Sequence, residues 1–153
     1  MMDKFHYKSC GLDNVYLLNG YEKCVIDGVE AVAIHDQDGL HRVIAEELIE
    51  KPAPLTGDEF RFLRIELDLS QKALADLLDV QDQTIAKWEK GQTKKVRGMA
   101  DVLMRALARE RLLNQQGLIY DFLCEMSRLD DQIDHHQIEL RETDEGWKPT
   151  RAA

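Results

Sequence analysis

LSQKALADLLDVQDQTIAKWEKGQTKK, residues 69–95, predicts two short helices joined by a tight turn and followed by a basic loop. Ser70 suits an N-cap, because its hydroxyl can accept a hydrogen bond from an amide of the first helical turn. Leu74, Leu77 and Leu78 then recur at helical spacing. These features predict a first helix that begins just after Ser70 and buries its leucines.

The second helix follows an interruption at residues 79–81, where the helical pattern of apolar residues stops. We expect it to run from about Asp82 to Lys90, with Ile85 and Trp88 on its buried face. Gly91 ends it, because glycine readily adopts the left-handed conformation that closes many helices. The stretch therefore has the layout of a helix-turn-helix.

Many positions of this stretch follow the single pattern S-Q-x-x-L-A-x-x-L-x-V-x-x-x-T-I-x-x-W-E-x-G. The pattern resembles the Cro/phage-repressor (XRE) family of DNA-binding domains over roughly residues 56–110. The positions that carry the resemblance are Gln71, Leu74, Ala75, Leu78, Val80, Thr84, Ile85, Trp88, Glu89 and Gly91. The resemblance implies a lambda-repressor-like domain of four to five helices and a sequence-specific DNA-binding transcriptional repressor.

Two positions depart from the family pattern. Asp79 stands where the family usually has glycine with a positive φ, and aspartate tolerates that region better than most residues. Gln81 stands where Ser or Thr often caps the second helix. Asp82 could take over this capping role.

The resemblance also implies which side chains read bases, since the second helix of this motif presents its N-terminal residues to the major groove. Gln83 is the expected base reader, because its amide can bond adenine N6 and N7 together. Asp82 either accepts a hydrogen bond from cytosine N4 or caps the helix, and capping is favoured. Thr84 and Lys87 face the same way and reach a base or a phosphate.

Other residues are expected to contact the phosphate backbone. Gln71 matches a family position that touches phosphate. Thr93, Lys94 and Lys95 lie in the loop after the second helix and are expected to clamp the backbone. The competing interpretation of these lysines is an ordinary solvated loop.

The net charge of −9 is unusual for a DNA-binding protein, but it is unevenly distributed. Residues 1–51 and 117–153 carry −5 each, whereas residues 52–116 carry +1. Residues 87–97 hold five basic side chains and one acidic side chain. Because the Debye length is about 8 Å at physiological salt, the acidic ends are largely screened from phosphates near this basic segment.

The N-terminal part predicts a small antiparallel sheet of two or three strands. Residues 15–18 and 22–26 flank Asn19-Gly20, a dipeptide typical of hairpin turns. Asp27-Gly28 is a second such dipeptide, and it precedes an apolar run at residues 29–34.

A helix and a linker are expected next. Asp38-Gly39 closes the sheet, and residues 40–50 fit one helix with Leu40, Val43, Ile44 and Leu48 on one face. The segment Lys51-Pro52-Ala53-Pro54 predicts an extended linker, because two prolines favour that backbone.

After the linker, helical patterns continue. Thr56 and Glu59 fit a capping box before a helix that buries Phe60, Leu63 and Leu67. A later amphipathic helix is marked by Met99, Val102, Leu103, Ala106 and Leu107. Residues 112–141 then predict a long helix with a heptad stripe, and residues 141–153 are polar and expected to fray. The stripe comprises Leu112, Ile119, Phe122, Met126, Leu129, Ile133 and Leu140, with His136 breaking it.

The fold class expected is mainly α, and α+β overall. It comprises a small α+β domain at 1–51, a helix-turn-helix domain at 52–111, and a C-terminal helix for dimerisation with a frayed tail at 112–153. The competing interpretation of the C-terminal stripe is that it packs back on its own chain.

No catalytic, metal or cofactor site is expected. The N-terminal part offers His6, Cys10, Cys24 and His35 but no C-x-x-C pair, which structural zinc sites usually show. The chain has no Gly-rich phosphate loop, H-E-x-x-H or nucleophile elbow, so we do not expect an enzyme. The cluster Asp131, Asp134, His135 and His136 is interpreted as a solvated helix face.

A sheet-plus-helix segment joined to this DNA-binding domain resembles the MqsA/YgiT-type antitoxins, although the zinc motif is missing. That resemblance implies an antitoxin of a type II toxin–antitoxin operon that represses its own operon, with a toxin protein as partner. The alternatives are a stand-alone repressor whose N-terminal part senses a ligand or partner, and a protein-interaction adaptor that no longer binds DNA. Expected partners are double-stranded operator DNA with palindromic half-sites and a second copy of the chain.

The chain is expected to be soluble and cytoplasmic. No stretch approaches the roughly 18 apolar residues that span a bilayer, and no secretory leader pattern is found at the N-terminus. The three cysteines, Cys10, Cys24 and Cys124, are widely spaced and fit reduced thiols better than a disulfide framework.

Overall fold

The computed structural model describes residues 4–91, 98–113, 119–121, 123–124 and 139–149. Among these residues the chain is helix-rich, with small antiparallel sheets. The helices are α1 (Gln37–Glu50), α2 (Gly57–Glu66), α3 (Gln71–Leu78), α4 (Asp82–Glu89) and α5 (Met99–Leu112). The strands are β1 (Phe5–His6), β2 (Tyr16–Leu17), β3 (Tyr21–Ile26), β4 (Val29–Ile34), β5 (Leu140–Thr143) and β6 (Gly146–Pro149). In this described part, no helix combines the length and apolarity needed to cross a membrane.

The N-terminal strands form two separate ladders. β3 and β4 pair antiparallel from Tyr21 opposite Ile34 to Ile26 opposite Val29. Asp27 and Gly28 connect them with φ values of 51° and 78°, as a two-residue type I′ turn requires, so the hairpin predicted at this dipeptide is present. The pairing expected across Asn19-Gly20 is wrong, because β2 pairs with β1 instead of β3.

Helix α1 begins three residues earlier than expected. Asp36 adopts a left-handed conformation, and its carboxylate accepts a hydrogen bond from the amide of Gly39 at 3.2 Å. Asp38-Gly39 therefore lies in the first helical turn and does not form a turn of its own. The buried face holds Ile44 and Leu48 as expected, together with Ala45 and Ile49, whereas Val43 is 54% exposed.

Helix α2 begins at the predicted capping box. The Thr56 hydroxyl accepts from the Glu59 amide at 3.2 Å, and the Glu59 carboxylate accepts from the Thr56 amide at 2.8 Å. Its expected core residues, Phe60, Leu63 and Leu67, are buried. The same Glu59 carboxylate is also paired with Lys51, which ties the proline segment to this helix.

Helix α5 buries Leu107 as expected, but its buried face is shifted away from Met99 and Val102. Met104, Leu107 and Ala108 are buried, whereas Met99 and Val102 are 72% and 61% exposed. The difference arises because α5 packs against both α1 and α2, and these contacts select the side of the helix that faces the core. A periodic pattern identifies a helix, but here several apolar positions compete for the inner face.

The proline segment is held in place by α5. The guanidinium of Arg105 donates to the carbonyl oxygens of Lys51 at 2.6 Å and Ala53 at 2.5 Å. The Asp101 carboxylate accepts from the amide of Leu55 at 2.7 Å. One apolar core extends from Tyr7 through to Ala108, on both sides of this segment. The domain boundary at residue 51 stays a prediction.

A chain of hydrogen bonds also links the N-terminal part to α2. The hydroxyl of Tyr7 is hydrogen-bonded to His41 Nε2 at 2.8 Å, and His41 Nδ1 lies 2.6 Å from Glu66 Oε1. Gln37 donates to the same hydroxyl at 3.4 Å. Burial raises the pKa of Tyr7 above its usual value. The hydroxyl is therefore neutral near pH 7 and available for these bonds.

The described residues at 119–121 and 123–124 contact their own chain. The carboxylate of Glu110 accepts from the amides of Ile119 at 2.7 Å and Tyr120 at 3.2 Å, so it caps a new helical turn. Leu123 is buried, and Arg111 lies over the ring of Tyr120. Neither Tyr120 nor Leu123 belongs to the heptad stripe, so the direction in which the stripe faces stays a prediction. The rest of that stripe up to Ile133 lies outside the described residues.

The expected helix at Leu140 and the expected frayed tail are both wrong within residues 139–149. β5 and β6 form an antiparallel hairpin there. Thr143 Oγ1 donates to the carbonyl of Gly146 at 2.8 Å and accepts from the amide of Glu145 at 3.2 Å. Gly146 has a φ of 104°, which a residue with a side chain rarely adopts. This local turn chemistry overrides the heptad pattern.

A buried carboxylate joins the three helices at the centre of the fold. Glu89 near the end of α4 receives Arg64 Nε at 2.6 Å and Arg64 Nη2 at 2.9 Å, a bidentate pair. Gln71 Nε2 on α3 donates to the same carboxylate at 3.1 Å. Arg64 Nη1 also donates to the carbonyl of Leu69 at 2.9 Å. Glu89 thereby fixes α4 relative to α2 and α3.

Replacing Glu89 by alanine is expected to lower the free energy of unfolding by about 3–5 kcal/mol, since Arg64 would keep a buried, unpaired charge. The double variant Arg64→Met with Glu89→Leu should lose less, because no charge is left unpaired. Glu46→Ala, which breaks a half-exposed pair with Arg42, is the control and should cost less than about 1 kcal/mol. Urea unfolding measures all three, and similar losses for Glu89→Ala and Glu46→Ala would contradict the role of the network.

Gly57→Ala is expected to lower the free energy of unfolding by about 1–3 kcal/mol, as overpacking of a close contact does. A Cβ at Gly57 would press on the carbonyl oxygen of Trp88 and lie 2.7 Å from that of Glu89. Both are backbone atoms and cannot swing aside. Asp58→Asn, one position further along the same helical turn and exposed, is the control. A Gly57→Ala variant as stable as the control in thermal unfolding would show that α2 and α4 can move apart freely.

Candidate nucleic-acid interface

The turn between α3 and α4 sets the orientation of the second helix. Asp79 takes up φ 56° and ψ 47°, the left-handed conformation expected from the family position that usually carries glycine. The amide of Val80 donates to the carbonyl of Ala75 at 3.0 Å, which closes α3. The expected N-cap Ser70 is also present, and its hydroxyl accepts from the amide of Ala73 at 3.0 Å.

Helix α4 is anchored on one side and open on the other. Ile85 is fully buried, and the ring of Trp88 meets that of Phe60 edge-on with centroids 5.7 Å apart. On the opposite side Gln83 and Lys87 are exposed and lie one helical turn apart. Thr84 is half-buried between the two sides. The structure therefore places the expected base reader on the open face of α4.

The start of α4 explains the position of Asp82. The N-cap residue is Gln81, and its side chain makes no capping bond. Asp82 is the first helical residue, and its carboxylate accepts from the amide of Gln83 at 2.9 Å. This bond and the positive end of the helix dipole both stabilise a carboxylate here. Asp82 is therefore not the N-cap that the favoured interpretation made it, although its carboxylate accepts from one free amide of the first helical turn.

Gln71 stands at the first position of α3, half-buried beside the buried carboxylate. Its side-chain amide donates to Glu89, so this residue is oriented by the core. The remaining expected phosphate contacts, Thr93, Lys94 and Lys95, lie outside the described residues.

An open cleft of about 500 Å³ runs between α3 and the start of α4. Gln83 and Asp82 line it from α4, and Lys72 and Asp76 line it from α3. Sequence reasoning did not single out Lys72, although it directly follows Gln71 in the first turn of α3. The cleft adds one cation to the surface around Gln83.

Acidic side chains also surround the start of α4. Asp76, Asp79 and Asp82 are all exposed there, while the described cations Lys87 and Lys90 lie toward the other end of the helix. A phosphate backbone would be repelled at the first end and attracted at the second. Charge thus favours a placement in which the C-terminal end of α4 lies nearer to the phosphates than its start does.

The candidate metal ligands of the N-terminal part make separate contacts. His6 Nε2 lies 2.6 Å from the carbonyl of Asp13, and His35 pairs with Glu22 at 3.4 Å. Cys10 Sγ donates to the carbonyl of Tyr7 at 3.7 Å, whereas Cys24 is exposed on β3. No group of three or more potential ligands occurs among the described residues. The cluster at 131–136 lies outside them.

Comparison with known proteins gave one result. Residues 60–103 match the family model described as helix-turn-helix, which extends from Phe60 in α2 through α3 and α4 into α5. Neither the curated proteins nor the solved structures provided a match. The matched segment contains the motif residues quoted above and the exposed face of α4. Residues 60–103 therefore match a helix-turn-helix domain of the Cro/C1 (XRE) type, and this match supports a DNA-binding regulator.

Proposed function

We propose that this regulator is a sequence-specific repressor that binds a palindromic operator as a homodimer and acts as the MqsA-like antitoxin of a toxin–antitoxin operon. The observation that carries the DNA-binding part is the open face of α4, with Gln83 and Lys87 exposed while Ile85 and Glu89 are buried. The antitoxin part rests on the resemblance of the N-terminal sheet-plus-helix segment.

Base reading is assigned to the N-terminal half of α4. That half enters the major groove, and Gln83 donates to adenine N7 and accepts from adenine N6. The carboxylate of Asp82 keeps its hydrogen bond from the amide of Gln83 and stabilises the first turn of α4. Thr84, half-buried, limits how deeply the helix enters.

Phosphate binding is assigned to cations on both sides of that helix. Lys72 on α3 binds phosphates of one DNA strand. Lys87 binds phosphates of the other strand, together with the loop residues Thr93, Lys94 and Lys95. Gln71 reaches a phosphate only if its amide turns from Glu89, so its main role is to hold α3 against α4. The acidic residues near Asp82 lower non-specific affinity and leave a larger share of the binding energy to bases.

Repression of its own operon would follow from an operator that overlaps the promoter, because the bound protein excludes polymerase. The N-terminal part carries −5, which suits a basic toxin as a partner. The second candidate is a stand-alone repressor with a sensory N-terminal part. It is favoured by an open groove of about 490 Å³ lined by Leu17, Ile34, Leu40 and Val43.

Gln83→Ala is expected to weaken binding to the operator by about 1–3 kcal/mol and to leave binding to random DNA nearly unchanged, because an uncharged amide releases no counterions. The probe is a DNA fragment from immediately upstream of the gene, compared with a scrambled fragment of equal length by fluorescence anisotropy. Equal losses on both fragments would remove Gln83 from base reading.

Lys94→Ala and Lys95→Ala are expected to weaken binding to both fragments alike. Each lost phosphate contact should reduce the slope of log K against log[salt] by about 0.9. Lys8→Ala, an exposed lysine in the N-terminal part, is the matched control and should leave the slope unchanged. Unaltered slopes in both loop variants would place these lysines outside the interface.

The antitoxin role is expected to show as a stable complex with the product of the neighbouring gene. The two genes would be expressed together, and the complex would be isolated through a tag on the neighbour. A complex that survives gel filtration and alters binding to the upstream fragment would support the antitoxin role. Operator binding without any such complex would favour the stand-alone repressor. If the protein binds neither the upstream DNA nor the neighbouring gene product, the adaptor is the remaining alternative.

A further inference from the structure

Helix α2 carries two arginines that approach the same end of α4. Arg61 and Arg64 are three positions apart, so they are neighbours on one face of the helix. The Arg64 side chain is 11% exposed and binds Glu89 through two hydrogen bonds. The Arg61 side chain is 52% exposed, and its Nε lies 3.9 Å from Glu89 Oε1. One buried carboxylate therefore has two guanidinium groups beside it.

The positive charge of Arg61 is not balanced at this carboxylate. Glu89 carries one negative charge, which the bidentate pair with Arg64 already neutralises. The contact of Glu89 with Arg61 is longer than a hydrogen bond. In the part of the chain that the structure describes, no other carboxylate pairs with Arg61. A half-exposed positive charge is therefore available to an external anion.

Two other half-exposed arginines differ from Arg61 in this respect. Arg42 is 50% exposed and pairs with Glu46 on the same helix. Arg109 is 45% exposed and pairs with Glu50 at 2.7 Å. Each of these arginines has a carboxylate to itself, whereas the one carboxylate near Arg61 is already bonded to another arginine.

The turn at residues 8–11 borders the Arg61 guanidinium on another side. The amide of Gly11 donates to the carbonyl of Lys8 at 2.9 Å, and Gly11 has a φ of 88°. A Cβ at Gly11 would lie 3.6 Å from Arg61 Nη1, so the guanidinium lies close to the backbone of this turn. Because Glu89 and Gly11 both restrict the side chain, Arg61 loses less conformational freedom when it binds an anion.

Arg61 also lies beside groups that are already assigned to DNA. Gln71, the expected phosphate contact, donates to the same oxygen of Glu89 that Arg61 approaches. Lys90, an exposed cation, directly follows Glu89. The placement of α4 that charge favours brings this end of the helix close to the phosphates. Gln71 has to leave Glu89 to reach a phosphate, whereas the guanidinium of Arg61 is exposed as it stands.

We infer that Arg61 binds a DNA phosphate beside the C-terminal end of α4, in place of the contact expected from Gln71. The inference rests on the proposed function for the presence of DNA at α4, but it needs neither sequence specificity nor a toxin partner. A guanidinium suits a phosphate because its N–H groups form a fork that matches the oxygens, and it stays charged at physiological pH. Gln71 keeps its hydrogen bond to Glu89 in the complex.

Arg61→Ala and Arg42→Ala form a matched pair for the test. Both remove one positive charge from a half-exposed arginine, but Arg42 lies on α1 and pairs with Glu46. Binding of the full chain to the scrambled fragment is measured by fluorescence anisotropy over a range of salt concentrations. We expect Arg61→Ala to reduce the slope of log K against log[salt] by about 0.9 and to weaken binding roughly fivefold to tenfold at 0.1 M salt. Arg42→Ala should leave both values near those of the unchanged protein.

Two further measurements separate phosphate binding from a structural role of Arg61. Arg61→Lys keeps the charge, so it should retain the salt slope, although its affinity should fall because an ammonium group makes no bidentate bond. Arg61→Ala and Arg42→Ala should have similar midpoints of thermal unfolding. If Arg61→Ala unfolds at a clearly lower temperature and its salt slope is unchanged, the residue supports the fold and the inference is wrong.

The outcomes also distinguish this inference from the proposed function. An unchanged slope in Arg61→Ala overturns the inference, even if the protein binds the upstream fragment selectively. A reduced slope together with equal affinity for the upstream and scrambled fragments supports the inference and contradicts sequence-specific repression. If the unchanged protein binds neither fragment at low salt, both the inference and the proposed function are wrong.

Discussion

The carboxylate of Glu89 is the constraint on which the candidate DNA-binding surface depends. It is buried, and it accepts hydrogen bonds from Nε and Nη2 of Arg64 and from the side-chain amide of Gln71. The turn at Asp79 fixes the start of α4, and the Glu89 network fixes its end. A buried charge tolerates few geometries, since every lone pair left without a donor is costly. The network thus links α2, α3 and α4, and it fixes the direction in which the open face of α4 points.

The surface around that face is electrostatically mixed. Acidic residues cluster at the start of α4, and lysines lie at its end and on α3. A protein with a net charge of −9 cannot rely on general attraction to DNA, so the local arrangement of charge has to position it. This favours recognition that depends on hydrogen bonds to bases, such as those proposed for Gln83. The acidic N-terminal part would be repelled by the phosphates and is therefore expected to lie away from them.

The N-terminal part is joined to the helix-turn-helix domain by specific contacts. Arg105 holds the carbonyls of the proline segment, and His41 connects Tyr7 to Glu66 on α2. These hydrogen bonds therefore join the N-terminal part directly to α2 and α5. Glu66 and Arg64 lie on that same helix, close to the network that orients α4.

The sequence alone determined the features whose causes lie within a few residues. The caps at Ser70 and Thr56 and the turn at Asp27-Gly28 follow from local hydrogen bonds and backbone preferences, so patterns at short spacing identified them. The positive φ at Asp79 was expected from the family resemblance. The motif also identified α3 and α4 and the exposure of Gln83. Tertiary structure decided which strand β2 pairs with and which side of α5 is buried. It also brought Arg64 and Gln71 to one carboxylate. These outcomes depend on contacts between residues distant in the chain, where several apolar or polar groups compete for one partner and only packing selects among them.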